Sequence, residues 1–213
     1  MYSLPPTFVI NLSERLDRYN HIQQQFRNWF TPVERISAVR MMPGWKGCIA
    51  SHLKCIQLAK ERDYPWVLIV EDDCLLMEDG KRTFRDLLPF LWLNKARWDI
   101  FNGGLTWIND TSVIDIEKRL FQTKGFQTHF YLIHKKAYDS VLNGHSLESA
   151  IPIDVFYRDN LRTWTTEPYI AKQMPGASDI VCANADYLVQ YNDAEEILSN
   201  MLATATATAT PAP

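Results

Sequence analysis

The sequence predicts an α/β fold, a mostly parallel central sheet with helices on both faces. Two observations predict it. Across residues 7–102, short β-branched apolar runs alternate with longer segments whose apolar residues recur every three or four positions. That alternation is the mark of strand–helix–strand units, which build parallel sheets. The run Trp66-Val67-Leu68-Ile69-Val70 is apolar without a break, as in a strand covered on both faces. A chain of 213 residues, 46% of them hydrophobic, is long enough and apolar enough to bury one full core.

Taken in order, Thr7 to Leu12 reads as a strand with the polar Asn11 near its end. Ser13 is a plausible N-cap. Leu16, Tyr19, Ile22, Phe26 and Phe30 then follow at helical steps. Arg15 and Arg18 fall in the first turn of that helix, the wrong end for cations by the helix dipole but the right place to meet a phosphate. Val33 to Val39 is a second strand. The loop Met42 to Gly47 leads into a helix over Cys48 to Arg62, with Ile49, Leu53, Ile56 and Ala59 on its inner face. His52, beside Leu53, reads as a satisfied core histidine ahead of a catalytic one. Gly80 to Trp92 is a third helix. Asp99 to Asn102 is a strand running into Gly103-Gly104, where a ligand can approach the backbone closely or the chain can simply turn.

The second half mixes short elements. Val113 to Ile116 and Arg119 to Gln122 read as a hairpin, Thr128 to His134 as a strand and Lys135 to Leu142 as a helix. A further helix is predicted at Val155 to Leu161, and a strand at Tyr169 to Ala171. Ala203 to Thr210 alternates Ala and Thr and ends in Pro211-Ala212-Pro213, a low-complexity composition that reads as a linker. The predicted boundaries are one domain over residues 1–192 and a helix or linker over 193–213, which would tether the chain to further domains.

Composition excludes several functions. A net charge of −3 argues against nucleic-acid binding. No apolar run approaches the ~20 residues of a membrane span. Residues 1–6 lack the basic and apolar regions of a signal peptide. Cys48, Cys55, Cys74 and Cys182 make no CxxC pair. These features predict a cytoplasmic protein with reduced thiols. Neither GxGxxG nor GxxxxGK[ST] is present, so no dinucleotide fold or P-loop is indicated.

The chemistry concentrates at the end of the central strand, where Glu71, Asp72 and Asp73 follow with no spacer. Adjacent carboxylates repel, and packing does not explain them. On an extended backbone Glu71 and Asp73 point to one side and Asp72 to the other. Two carboxylates at a strand's C-terminal end make half a site for a hard divalent cation, at the position where open α/β sheets bind ligands. The bland alternative is an acidic turn opening a loop.

Five stretches in the same order resemble family 25 glycosyltransferases, the lipo-oligosaccharide and collagen galactosyltransferase group. They are Val9-Ile10-Asn11-Leu12 with Arg15 and Arg18; Gly47-Cys48-Ile49-Ala50-Ser51-His52; Leu68-Ile69-Val70-Glu71-Asp72-Asp73; Thr128 to Ile133; and Pro152-Ile153-Asp154 with Gln173 and Ser178-Asp179-Ile180. The resemblance covers about residues 7–181. It implies a GT-A fold, with the Rossmann-like sheet joined to a mixed acceptor-side half. It implies a UDP-sugar donor, Mn²⁺ or Mg²⁺, a glycan acceptor, and inverting transfer of a hexose or deoxyhexose. Glu71 and Asp73 are then the metal carboxylates, with a third ligand from Asp179, Gln173 or Ser178. Asn11, Arg15, Arg18, Ala38, Val39, Lys54, Asp72, Gly103 and Gly104 are donor-site candidates, and Asp154 is the candidate general base. Many enzymes of the GT-A fold have Asp where this chain has Glu71. Two other classes remain open, a metal-dependent nucleotidyltransferase and an inactive carbohydrate-binding relic of the fold.

Overall fold

A computed structural model describes residues 3–148, 151–178 and 183–209. The first half follows the predicted alternation. Strand β1 (Thr7–Asn11), helix α1 (Leu16–Gln25), β2 (Val33–Ser37), α2 (Gly44–Glu61) and β3 (Trp66–Glu71) come first. Then follow β4 (Cys74–Leu76), α3 (Gly80–Leu93) and β5 (Ile100–Asn102). β1 pairs in parallel with both β2 and β3, so Asn11, Ser37 and Glu71 reach the same edge of the sheet. Arg15, not Ser13, is the N-cap of α1. α2 starts at Gly44, four residues before the sequence suggested, so the Gly44–Gly47 stretch is helical rather than loop.

The second half supplies the hairpin β6 (Thr106–Asp115) and β7 (Leu120–Phe126), then β8 (Phe130–His134). A 3₁₀ turn (Lys135–Ala137), α4 (Tyr138–Gly144), α5 (Ile153–Asn160), β9 (Thr163–Thr166), β10 (Ala171–Gln173), β11 (Gly176–Ser178), β12 (Ala183–Ala185) and α6 (Leu188–Ala209) complete it. The main sheet runs β2-β1-β3-β8-β5-β9-β7-β6. Tracing each pairing outward from β1, six strands point one way, and β8 and β7 oppose them. The sheet is therefore mostly parallel in strand direction but mixed in pairing. β8, buried along its whole length, inserts between β3 and β5.

Apolar clusters fill both faces. Ile49, Ile56 and Ala59 of α2 pack with Val67 and Ile69, while Phe84, Leu88 and Leu91 of α3 pack with Leu68 and Val70. A third cluster joins Phe121 and Tyr169 to Tyr191, Ala194, Leu198 and Leu202 of α6. The segment read as a helix or linker is helical. The predicted boundary at 192/193 cuts a continuous helix, and the chain packs on the domain as far as Leu202. The Ala/Thr repeat is helical as far as Ala209. Ala is the best helix former, and the Thr hydroxyls find acceptors one turn back. Thr204 donates to Asn200 O at 2.9 Å and Thr206 to Leu202 O at 2.8 Å. Of the described residues beyond Leu202, all but Ala205 are exposed.

Two truncations should therefore behave differently. Deleting from Ala203 onward is expected to leave the melting temperature within a few degrees. Deleting from Asp193 onward removes Leu198 and Leu202, each worth about 1.5–3 kcal/mol of burial, and is expected to lower it markedly. Thermal denaturation of the two chains side by side checks this, and equal melts would show that α6 contributes nothing.

Candidate active site

The apolar run of β3 ends at Glu71 because the chain turns at Asp72–Asp73 and re-enters as β4. The backbone is not extended there, so the expected alternation does not hold. Glu71, Asp72 and Asp73 all line one cavity, together with Arg18, Asn11 and Gln173. Asp72 and Asp73 are 7% and 4% exposed.

Arg18 holds the turn. Its Nη1 lies 3.0 Å from Asp72 Oδ1 and 3.1 Å from Asp73 Oδ2. Asn11 Nδ2 donates to Asp72 Oδ2 at 2.6 Å, while Asn11 Oδ1 accepts from Arg35 at 2.6 Å. Burial raises the Asp72 carboxyl, and these donors offset only part of the rise. Burial and the charge of Glu71 push Asp73 up to about 7 against the pull of Arg18. Glu71 goes the other way. Burial raises it, but His52 and the Thr128 hydroxyl, which donates to Oε1 at 2.7 Å, outweigh burial and hold it low. His52 Nε2 lies 3.5 Å from Glu71, and its Nδ1 meets Tyr131 Oη at 2.9 Å, which in turn meets Tyr157 Oη at 3.1 Å. His52 is thus a buried histidine with both nitrogens engaged, and it also faces the cavity.

The Asp73 shift has a testable sign. A carboxyl raised from 3.8 to about 7 binds more protons folded than unfolded. Its contribution to stability is therefore full below about pH 4 and is lost as pH rises to about 7. Ligand-free Asp73→Asn should gain in melting temperature on the parent chain across that interval. A constant difference from pH 4 to 8 would mean that Asp73 is not raised.

Gln173 reaches the turn by strand pairing. β10 runs antiparallel to β4 with Gln173 opposite Cys74, and Met174 N donates to Asp73 O at 2.8 Å. Gln173 Nε2 donates to Asp73 Oδ2 at 3.1 Å. Asp73 Oδ1 and Gln173 Oε1 are both buried without a hydrogen-bond partner. Two unsatisfied oxygens beside a carboxylate cluster fit a hard divalent cation, which takes carboxylate and amide oxygens. Among the described residues no three His, Cys, Asp or Glu side chains group as a metal site. Within the described residues a cation there would meet the Gln173 amide oxygen as well as the Asp73 and Glu71 carboxylates. Ser178 ends β11, and Asp179 lies outside the described residues.

A relay fixes Gln173 from behind. Burial drives His129 down to about 4, so its ring is neutral. Its Nε2 donates to Ala171 O at 3.1 Å, which leaves Nδ1 to accept from Tyr191 Oη at 3.1 Å. Gln173 N then donates to the same Tyr191 oxygen at 3.2 Å. The sequence placed His129 in the stretch Thr128 to Ile133 without singling it out, and did not mark Tyr191.

The cavity extends from the carboxylates along Ile10, Ala38 and Val39 to Met41 and Met42. Ser51 Oγ donates to Gly47 O at 2.7 Å and accepts from Val39 N at 2.8 Å, pinning that strand end to α2. A Cβ on Gly47 would come 2.4 Å from Val39 O, so only glycine permits the approach. Four donor-site candidates are not brought here. Arg15 turns to Asp17 at 2.9 Å, and Lys54 donates to Ser37 O at 2.9 Å on the surface. Gly103 and Gly104 serve packing, since a Cβ would meet the Phe130 ring at 2.5 Å and Ala171 O at 2.2 Å respectively.

A second cavity adjoins the first through Cys48, Glu71 and Gln173, and Asp154 lines it. Asp154 is not the cap of α5. Pro152 holds that position, and Asp154 sits in the first helical turn, where Val155 N donates to its Oδ1 at 2.9 Å. Burial raises its carboxyl, and the charge of Glu71 adds to the rise.

A family profile described as glycosyltransferase family 25 (LPS biosynthesis protein) matches residues 40–157. A glycosyltransferase involved in the glycosylation of the major capsid of PBCV-1 is 11% identical with a TM-score of 0.55, over 92% of this chain and 99% of that one. A197 from STIV is 13% identical with a TM-score of 0.47, over 85% and 93%. The inositol-1-phosphate CTP transferase from T. maritima is 12% identical with a TM-score of 0.44, over 92% and 76%. No curated protein matches. Among the described residues no helix is long and apolar enough to cross a membrane.

Proposed function

Because this chain belongs to glycosyltransferase family 25, we propose that it transfers a hexose or deoxyhexose from a UDP-sugar to a glycan hydroxyl, with inversion and with Mn²⁺ or Mg²⁺. One observation carries the reading. Two partnerless buried oxygens, Asp73 Oδ1 and Gln173 Oε1, stand where the cavity of Asn11, Ala38 and Val39 meets the cavity of Asp154. A donor diphosphate and an acceptor hydroxyl have to meet at such a junction.

Asp73, Gln173 and Glu71 would hold the cation, which when bound neutralises charge on the departing diphosphate. Arg18 keeps Asp72 and Asp73 in place. Ala38 and Val39 give the nucleobase an apolar wall anchored by Ser51. Asp154 takes the proton from the acceptor hydroxyl. Burial raises its carboxyl and so makes it a better proton acceptor than a solvated aspartate. Glu71, held low, suits charge stabilisation instead.

Thermal-shift titration with UDP, UDP-sugars and NTPs, with and without Mn²⁺, tests the reading, since a ligand of the native state raises the melting temperature. UDP and a UDP-sugar should shift it, and more with Mn²⁺. A shift by an NTP with release of pyrophosphate would instead identify a nucleotidyltransferase. Sugar binding that ignores both UDP and Mn²⁺ would leave the inactive relic.

A further inference from the structure

The second cavity is lined by two chemically different sets of residues. Asp154, Glu71, Gln127 and Gln173 are polar, while Trp45, Trp107, Phe126 and Tyr187 are aromatic. Trp107 stands out among the aromatic ones. Its side chain belongs to a residue 52% exposed, although tryptophan is usually well covered. Its φ is +47°, a left-handed value that is costly for a bulky residue. The cause is a β-bulge. Between Thr106↔Phe126 and Asn109↔Lys124, β6 advances three residues while β7 advances two, and bulges re-aim side chains beside functional sites. Phe126 and Tyr187 meet the indole edge-on, with centroids 6.0 and 5.7 Å away and interplanar angles of 86° and 77°. They brace the ring without stacking on it. Strain of this kind persists where the surroundings impose it, and it is a reason to look for function.

We propose that Trp107 is the stacking platform for one pyranose ring of the acceptor, and so a specificity-determining residue. A pyranose has a face of C–H bonds and a rim of hydroxyls. The C–H face complements the electron-rich face of an indole, and the polar residues of the same cavity, Asp154 among them, offer partners for the hydroxyls. A lipid chain would take water from the polar groups of this cavity and offer them no hydrogen bonds in return, at a desolvation cost. The acceptor is therefore a carbohydrate bound by one flat ring. This rests on the transferase reading of the neighbouring cavity.

The test uses the full chain and a panel of methyl glycosides of glucose, galactose, mannose, xylose and fucose, with saturation-transfer NMR in the presence of UDP and Mn²⁺. Two variants are compared with the parent. Trp107→Asn keeps a residue that tolerates the left-handed backbone, and Trp107→Phe keeps a smaller aromatic face. At least one glycoside should bind the parent and bind Trp107→Asn at least tenfold more weakly, with Trp107→Phe between them. The melting temperature of Trp107→Asn should be equal or higher, because the strain is relieved, and its UDP affinity by calorimetry should be unchanged. A Trp107 that merely supports the fold would lower the melt instead. Equal glycoside binding by the parent and Trp107→Asn would overturn the proposal. So would binding of an alkyl chain or a peptide but no glycoside, or of none of the panel by a chain that binds UDP. If the parent binds no UDP, the transferase reading fails first and the platform falls with it.

Discussion

Asp73→Ala is expected to abolish metal-dependent release of UDP from the donor while the chain melts close to the parent. The two halves have separate causes. Asp73 Oδ1 makes no hydrogen bond and its carboxyl is crowded by Glu71 and Asp72, so folding gains little from it. Losing the contacts to Arg18 and Gln173 costs something. Arg18 keeps Asp72 as a partner at 3.0 Å, and relief of buried like charge offsets the rest. Donor breakdown has no such compensation. A lost ligand to the diphosphate-bound cation should cost several kcal/mol in the transition state, on the order of 10³-fold or more in rate. UDP release and the circular dichroism melt should be read on one preparation. Near-normal turnover would take the acidic turn out of the mechanism, and a collapsed melt would make it a structural element.

Asp154→Asn should lose transfer to the acceptor by about 10²-fold or more and keep both stability and UDP-sugar affinity. An amide matches the shape of the carboxyl and still accepts the hydrogen bond from Val155 N. It cannot accept a proton from a hydroxyl. The helix does not need the charge, since Pro152 occupies the cap position. Burial already disfavours the ionised form, so replacing it with a neutral amide should not destabilise the fold. Calorimetry with the donor and transfer rates with the acceptor separate the two roles. Full transfer activity would leave Asp154 as a polar residue of the cavity wall and nothing more.

Much of the framework was legible because it rests on local pattern. The apolar run of β3, its acidic end and the periodicity of α1, α2 and α3 are properties of consecutive residues. β9 was missed because Thr163–Thr166 is mostly polar, yet every residue of it is buried. Hydroxyl bonds within the fold permit this, with Thr165 donating to Asn102 O at 2.9 Å and Thr166 to Arg119 O at 3.1 Å. The insertion of β8 between β3 and β5 depends on distant pairing that no window of sequence contains. Site candidates divide the same way. Asn11, Arg18, Ala38, Val39 and Gln173 line the cavity where motif order suggested. Arg15 and Lys54 went to nearer partners, a competition that sequence does not display. Asp72 joined Asp73 because a turn replaced the strand on which the alternation argument relied. The aromatic residues of the second cavity, Trp45, Trp107, Phe126 and Tyr187, are too scattered along the chain to form a pattern.

The contact between Tyr191 and Gln173 also sets an order in time. A polypeptide emerges from its N-terminus and domains fold as they appear. Glu71, Asp72 and Asp73 are made early, whereas the hydroxyl that receives Gln173 N belongs to α6. Before that helix docks, the nascent chain carries its carboxylates without the brace that fixes the amide beside them. A chain that lacks α6 is thus expected to hold Gln173 less firmly beside Asp73 than the full chain does. The chain ending at Asn192 models that stage, since it retains the candidate ligands on β3 and β10 but lacks the packing that seats Tyr191.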